Sequence, residues 1–135
     1  MIDQVPILPS ASSAYVREVR HVYDGPAFYQ NESRDQFHRL VQADPRWLID
    51  LVESGTLRPS NLTFAAEILG SVDDRALVDP VLLVLLGHDS PLVREGAVYG
   101  LACSGSAKVR AQLQFVADND PSPGVRRAAQ EVLDN

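Results

Sequence analysis

The chain has 135 residues, of which 45% are hydrophobic and 22% are charged, and these proportions are typical of one globular domain. Its net charge of -6 argues against a nucleic-acid-binding surface, because such surfaces usually carry clustered Lys and Arg. The single cysteine excludes an intrachain disulfide and a multi-cysteine zinc site. The sequence shows no leader-like segment and no apolar run of membrane length, so we expect a cytoplasmic protein without a membrane partner.

Residues 1–43 precede the repeated part of the chain, and we expect them to form a tail and a capping segment. Ser33 and Gln36 have the spacing of a capping box, which predicts a helix over residues 34–43. Five of the nine aromatic residues lie in this segment, which indicates a lid over the open end of a helical array. Alternatively, residues 24–29 form an aromatic loop that inserts into a partner.

The remainder of the chain is repetitive. Residues 91–101 repeat at residues 123–133 with five identities in eleven positions. The segment before them repeats at an offset of 31 instead of 32, and the extra residue falls in the intervening turn, where insertions are best tolerated. A weaker copy comes first, since Pro91, Ala97 and Leu101 have identical counterparts 32 residues earlier. We therefore predict repeats at residues 44–70 (degenerate), 74–102 and 106–134.

Each repeat is predicted to contain two helices. In the middle repeat the first helix is apolar at helical spacing and ends at Gly87, a residue type that accepts the left-handed conformation favoured after a helix. In the second helix, Val93, Ala97 and Leu101 recur every four residues and predict one buried stripe. The small side chain of Ala97 leaves room for close packing between helices.

Residues 89–97 and 120–129 both combine a turn with Asp and Pro, a Val-Arg pair and an Ala. They resemble the HEAT repeat, in particular the HEAT-like repeats of phycobiliprotein lyases. The resemblance implies an all-α fold, a short right-handed α-solenoid of about three helix pairs behind the N-terminal capping segment. It also implies a hydrogen-bond ladder between repeats, formed by Asp89 and Asp120 with Arg94 and Arg126.

The resemblance further implies that the second helix of each pair lines a concave surface, where another protein binds. The outward positions, two residues beyond the predicted stripe, are Thr63, Glu67, Glu95, Tyr99, Arg127 and Glu131. Their balance of charge is acidic and Tyr99 is central, which favours a basic protein as the partner. The alternative interpretation is that these are the solvated charges of ordinary helix faces.

The sequence offers few groups for catalysis, and we predict no catalytic residue, no metal ligand and no cofactor. Cys103 has no basic neighbour before Lys108 that would activate its thiol. We therefore expect a non-enzymatic interaction module, either a small acidic adaptor or an immunity-type inhibitor. The alternative is a lyase-type enzyme or enzyme subunit with a pocket that includes Tyr99, His21 or Cys103. We also expect weak self-association through the C-terminal repeat, whose last helix pair leaves an apolar flank open.

Overall fold

A computed structural model describes residues 31–135, with side chains described from Gln36 onward. Every regular element in this range is an α-helix, which confirms the all-α prediction for this part of the chain. The helices are α1 (Asn31–Ala43), α2 (Pro45–Glu53), α3 (Pro59–Leu69), α4 (Arg75–Leu85), α5 (Pro91–Gly100), α6 (Ala107–Asn119) and α7 (Pro123–Asp134). The predicted tail and the aromatic loop at residues 24–29 lie outside the described residues.

The chain divides after Leu57 into two compact units. In the first unit α1 packs against α2, and the buried ring of Phe37 meets Trp47 edge-on, with centroids 6.0 Å apart at 75°. Helix α1 begins at Asn31, so Ser33 lies inside the helix and not at its N-cap. The position of the predicted capping box is therefore wrong.

The second unit, Arg58–Asn135, contains the repeat helices from α3 onward. The second helices of the three copies, α3, α5 and α7, pack side by side, and we call them the B helices. Helix α4 packs on α5, and α6 packs on α7. This stacking of helix pairs is the arrangement of an α-solenoid, in which each repeat mainly contacts its neighbours.

Two kinds of residue start the helices of this unit. Each B helix begins with Pro, whose fixed φ and missing N–H suit the first turn of a helix. Helices α4 and α6 follow Asp74 and Ser106, whose side chains accept hydrogen bonds from the amides of Leu77 and Val109. The predicted start of the second helices at Ser or Pro is thus confirmed.

The predicted stripe of α5 lies at the centre of the core. Val93, Ala97 and Leu101 are all buried, as are the equivalent Val125 and Ala129 of α7. Their burial follows from the position of α5, which packs against α3 on one side and α7 on the other. The stripe therefore fixes which face of each B helix is available for contact with another molecule.

The end of α4 differs from the prediction. Gly87 does not adopt the left-handed conformation, since the only positive φ among the described residues is 76° at Gly55. Leu86 remains right-handed, and the amide of Gly87 donates to the carbonyl of Val84 at 3.0 Å. The helix thus ends in a tightened right-handed turn, which needs no glycine.

Helices α3 and α5 approach closely enough for their backbones to touch. A Cβ atom added to Gly96 would lie 2.7 Å from the carbonyl oxygen of Thr63, and one added to Gly100 would overlap that of Ala66. A Cβ atom added to Gly70 would lie 2.9 Å from the Cα of Gly100. These three positions therefore require glycine because a side chain would push two backbones apart.

Candidate protein-binding surface

Five of the six predicted contact residues lie on the accessible side of the B helices. Glu67, Tyr99, Arg127 and Glu131 are exposed, and Glu95 is partly exposed. These five residues are named the acidic B-helix surface. They belong to three successive helices, so the surface crosses both contacts between B helices.

Thr63, the sixth predicted contact residue, is not part of this surface. Its side chain is only 9% exposed, and its hydroxyl donates to the carbonyl of Pro59 at 2.8 Å. Because Gly96 has no side chain, α5 comes close enough to cover Thr63. The predicted outward orientation of Thr63 is therefore wrong.

A side-chain hydrogen bond links α5 to α7 within the acidic B-helix surface. The hydroxyl of Tyr99 donates to Oε1 of Glu131 at 3.0 Å. Burial, this hydrogen bond and the charges of Glu131, Glu95 and Glu67 raise the pKa of Tyr99 above its ordinary value of 10.0. Tyr99 is therefore a neutral donor near pH 7, and it orients the carboxylate of Glu131.

The three glutamates of the surface come from three different helices, yet their charges act on one hydroxyl, that of Tyr99. Glu95 reaches the first turn of α7, where its Oε2 is 3.7 Å from the position of a Cβ atom on Gly124. The positive end of a helix dipole favours a carboxylate at such a place. The glutamates thus make one negatively charged area around an aromatic ring, with Arg127 as the cation of the set.

The predicted ladder between repeats forms once as an ion pair. Nε and Nη2 of Arg94 donate to the two carboxylate oxygens of Asp120 at 2.9 and 3.1 Å, and the two side chains are only 11% and 5% exposed. Arg126 donates instead to the backbone carbonyl of Asp120, at 2.6 Å. The carboxylate of Asp89 has no such partner in the described range, since Leu62 occupies the position equivalent to Arg94. The ion pair therefore links repeats and is not a contact site.

A second polar network, which sequence reasoning missed, joins the ends of α3 and α5. Arg75 donates to Asp79 at 2.7 Å and to the carbonyls of Gly70 and Gly100, both at 3.0 Å. The hydroxyl of Ser104 donates to the other carboxylate oxygen of Asp79 at 2.7 Å. The i, i+4 spacing of Arg75 and Asp79 is a sequence signal for their pairing. The carbonyl partners depend on the close contact between α3 and α5, which no spacing reveals.

Groups that could carry chemistry are sparse in the described part of the chain. Within residues 31–135, no set of three His, Cys, Asp or Glu side chains is arranged to hold a metal ion. Cys103 is exposed in the turn after α5, while His21 lies outside the described residues. No helix between residues 31 and 135 combines the length and apolarity required to cross a membrane.

Comparison with known proteins identifies the repeat. Residues 45–134, from α2 to α7, match the sequence pattern of HEAT repeats. The chain belongs to the HEAT repeat family. HEAT repeats commonly mediate protein–protein interaction, so an exposed surface on successive B helices is a reasonable place for a partner. No curated protein and no solved structure shows significant similarity to the chain.

Proposed function

We propose that this HEAT-repeat chain is a non-enzymatic cytoplasmic adaptor or immunity-type inhibitor that binds a basic protein on the acidic B-helix surface. The observation that carries the proposal is the hydrogen bond from Tyr99 to Glu131, which holds an aromatic ring and a carboxylate from two repeats in one arrangement. Side chains that are ordered before binding lose less conformational entropy on binding. Tyrosine is also enriched among the residues that contribute most to interfaces.

The charges of this surface support a cationic partner. The chain carries a net charge of -6, and the carboxylates of Glu67, Glu95 and Glu131 act on Tyr99. A Lys or Arg of the partner can contact the negative face of the Tyr99 ring and a nearby carboxylate at the same time. Complementary charge of this kind mainly accelerates association and selects the partner.

Weak self-association through the C-terminal repeat is a separate part of the proposal. Leu133, the stripe residue of α7, is half-buried, whereas its equivalent in α5, Leu101, is buried. The last helix pair thus retains apolar surface that a second copy can cover. Sedimentation velocity over a range of concentrations tests this, and a monomer at every concentration contradicts it.

The main experiment captures partners with the full chain and then measures the purified complex. We expect one stoichiometric basic protein from the native host, identified by mass spectrometry. Tyr99→Ala should weaken its binding by about 2 kcal/mol or more, which is roughly 30-fold in Kd. Tyr99→Phe keeps the ring and removes only the hydrogen bond to Glu131, so it should weaken binding less.

Charge reversal separates local from global electrostatics. The double variant Glu95→Lys, Glu131→Lys should slow association and change its salt dependence, because charges at the rim act mainly by steering. The control reverses two exposed carboxylates elsewhere, Asp73 and Glu53, and changes the net charge equally. If the control slows association as much, the acidic B-helix surface is not the site.

Two further outcomes would redirect the proposal. Affinity that survives Tyr99→Ala and the charge reversal, but is lost on deletion of residues 1–30, would place the site in the N-terminal segment. Capture of a small molecule or a cofactor instead of a protein would favour the lyase-type alternative.

A further inference from the structure

A groove lies between α4 and α6, the first helices of two successive repeats. Its volume is about 590 Å³, within the range of roughly 300–1,000 Å³ that is usual for ligand sites. The wall is apolar, and its apolar side chains are Leu83, Val84, Leu86, Phe115 and Val116. The groove shares no residue with the acidic B-helix surface.

Two apolar side chains of this wall project into solvent at the same position of successive repeats. Val84 is 75% exposed and Phe115 is 63% exposed, and they are 31 residues apart, which is the offset of the first helices. Outward positions of an amphipathic helix are normally polar. Exposed apolar side chains that recur in register beside a groove are typical of a surface that another molecule covers.

The groove is negatively charged at one end. Asp89 lies there, and its carboxylate makes no ion pair or hydrogen bond with the described residues, because Leu62 stands where an Arg would complete the ladder. The other charges of the lining, Arg94 and Asp120, neutralise each other. Helices α4 and α6 carry no basic residue in their last turns, so the negative ends of their dipoles are uncompensated.

We propose that this groove binds a short segment of a second protein, with two apolar side chains beside a Lys or Arg. The apolar side chains would pack on Val84 and Phe115, and the cation would lie at the end marked by Asp89. A second copy of this chain is a poorer occupant, because at a net charge of -6 it brings mostly acidic surface to that end. This proposal concerns a different surface from the acidic B-helix surface and does not depend on it.

The test selects peptides that bind the full chain from a display library of random linear peptides. The probes are the enriched peptides, labelled with a fluorophore, and their affinity is measured by fluorescence anisotropy at low and high salt. We expect the enriched sequences to share two apolar residues beside a Lys or Arg. Phe115→Ala should weaken them by about tenfold or more, since an aromatic anchor usually dominates such contacts. Asp89→Asn should weaken them severalfold and reduce the salt dependence.

Two control variants isolate the groove. Leu92→Ala truncates another exposed apolar side chain, one that does not line the groove, and Tyr99→Ala alters the acidic B-helix surface. Both should leave peptide affinity unchanged, and thermal denaturation should show that every variant is folded. The substituted groove residues are themselves exposed, so their truncation should not unfold the protein.

Four results would overturn the proposal. The library yields no peptide, the selected peptides lack a basic residue, or their affinity survives the double variant Val84→Ala, Phe115→Ala. The fourth result is a dimer that Phe115→Ala dissociates, because the occupant would then be a second copy of the chain.

Discussion

The two contacts between B helices differ, although both belong to the same kind of repeat. Between α3 and α5 the helices meet backbone to backbone, and Gly96 and Gly100 lie at the contact. Between α5 and α7 the equivalent positions hold Ala128 and Val132, so side chains separate the helices. The first contact is therefore fixed by the absence of side chains and the second by their presence.

The polar links between repeats differ in the same way. The contact between α5 and α7 carries the ion pair of Arg94 with Asp120 and the hydrogen bond of Tyr99 with Glu131. At the contact between α3 and α5, Leu62 replaces the ladder Arg, and the guanidinium of Arg75 donates to backbone carbonyls. The HEAT pattern thus sets helix order, while a few residues at each contact set the distance between repeats.

The largest effect is expected where the backbones touch. The double variant Gly96→Ala, Gly100→Ala should lower the free energy of unfolding by about 4 kcal/mol, because overpacking typically costs 1–3 kcal/mol per site. Urea denaturation measures this. The matched control is Gly124→Ala in α7, where an added Cβ meets nothing closer than 3.7 Å.

Helix propensity sharpens that control. Alanine is a better helix former than glycine, so Gly124→Ala should leave stability unchanged or raise it by up to about 1 kcal/mol. Equal urea midpoints for the double variant and wild type would contradict the backbone contact between α3 and α5.

A smaller loss is expected at the second contact. Arg94→Ala leaves the buried carboxylate of Asp120 without its cation and should destabilise the protein by about 3 kcal/mol. Arg94→Lys should lose less, because it keeps the charge but not the two-pronged geometry. Arg127→Ala is the control, since that exposed side chain should change stability by no more than about 0.5 kcal/mol. Equal losses in Arg94→Ala and the control would mean that the ion pair does not hold the repeats together.

The smallest effect concerns the titration of Tyr99. Subtracting the ultraviolet titration of Tyr99→Phe from that of wild type isolates this tyrosine from the other three. Its pKa should lie above 10.0, and Glu131→Gln should bring it back towards that value. The folded-state pKa is raised, so the associated stability is present below pH 10 and is lost as the pH rises through the folded-state value. A pKa of 10.0 in both proteins would exclude the link between α5 and α7.

The repeat and the core could be predicted because both depend on short-range periodicity. The alignment of Val93, Ala97 and Leu101 with the neighbouring copies identifies a buried stripe, and the structure buries all three. From that stripe, simple helical geometry places Glu95 and Tyr99 on the accessible side, as observed. Burial of one face determines the other, so no knowledge of the distance between repeats is needed.

The misplacement of Thr63 has a different origin. Its position in α3 is equivalent to that of Glu95 in α5, which predicts an outward side chain. Its burial depends on how closely α5 approaches, and that distance is set by Gly96 in another helix. A pattern within one helix carries no information about it.

The groove between α4 and α6 was missed for a related reason. Val84 and Phe115 stand 31 residues apart and are both apolar, so a signal was present in the repeat alignment. Apolar residues in a helix normally predict burial, and only the positions of the neighbouring helices show that these two are exposed.

The backbone contact between α3 and α5 also has a mechanical consequence. Atoms in direct contact at Gly96 and Gly100 resist compression, whereas the side chains between α5 and α7 can change rotamer when the helices tilt. Elastic bending within residues 58–135 should therefore concentrate between α5 and α7. The hydrogen bond from Tyr99 to Glu131 spans that compliant joint, so its length would report the curvature that a bound partner imposes.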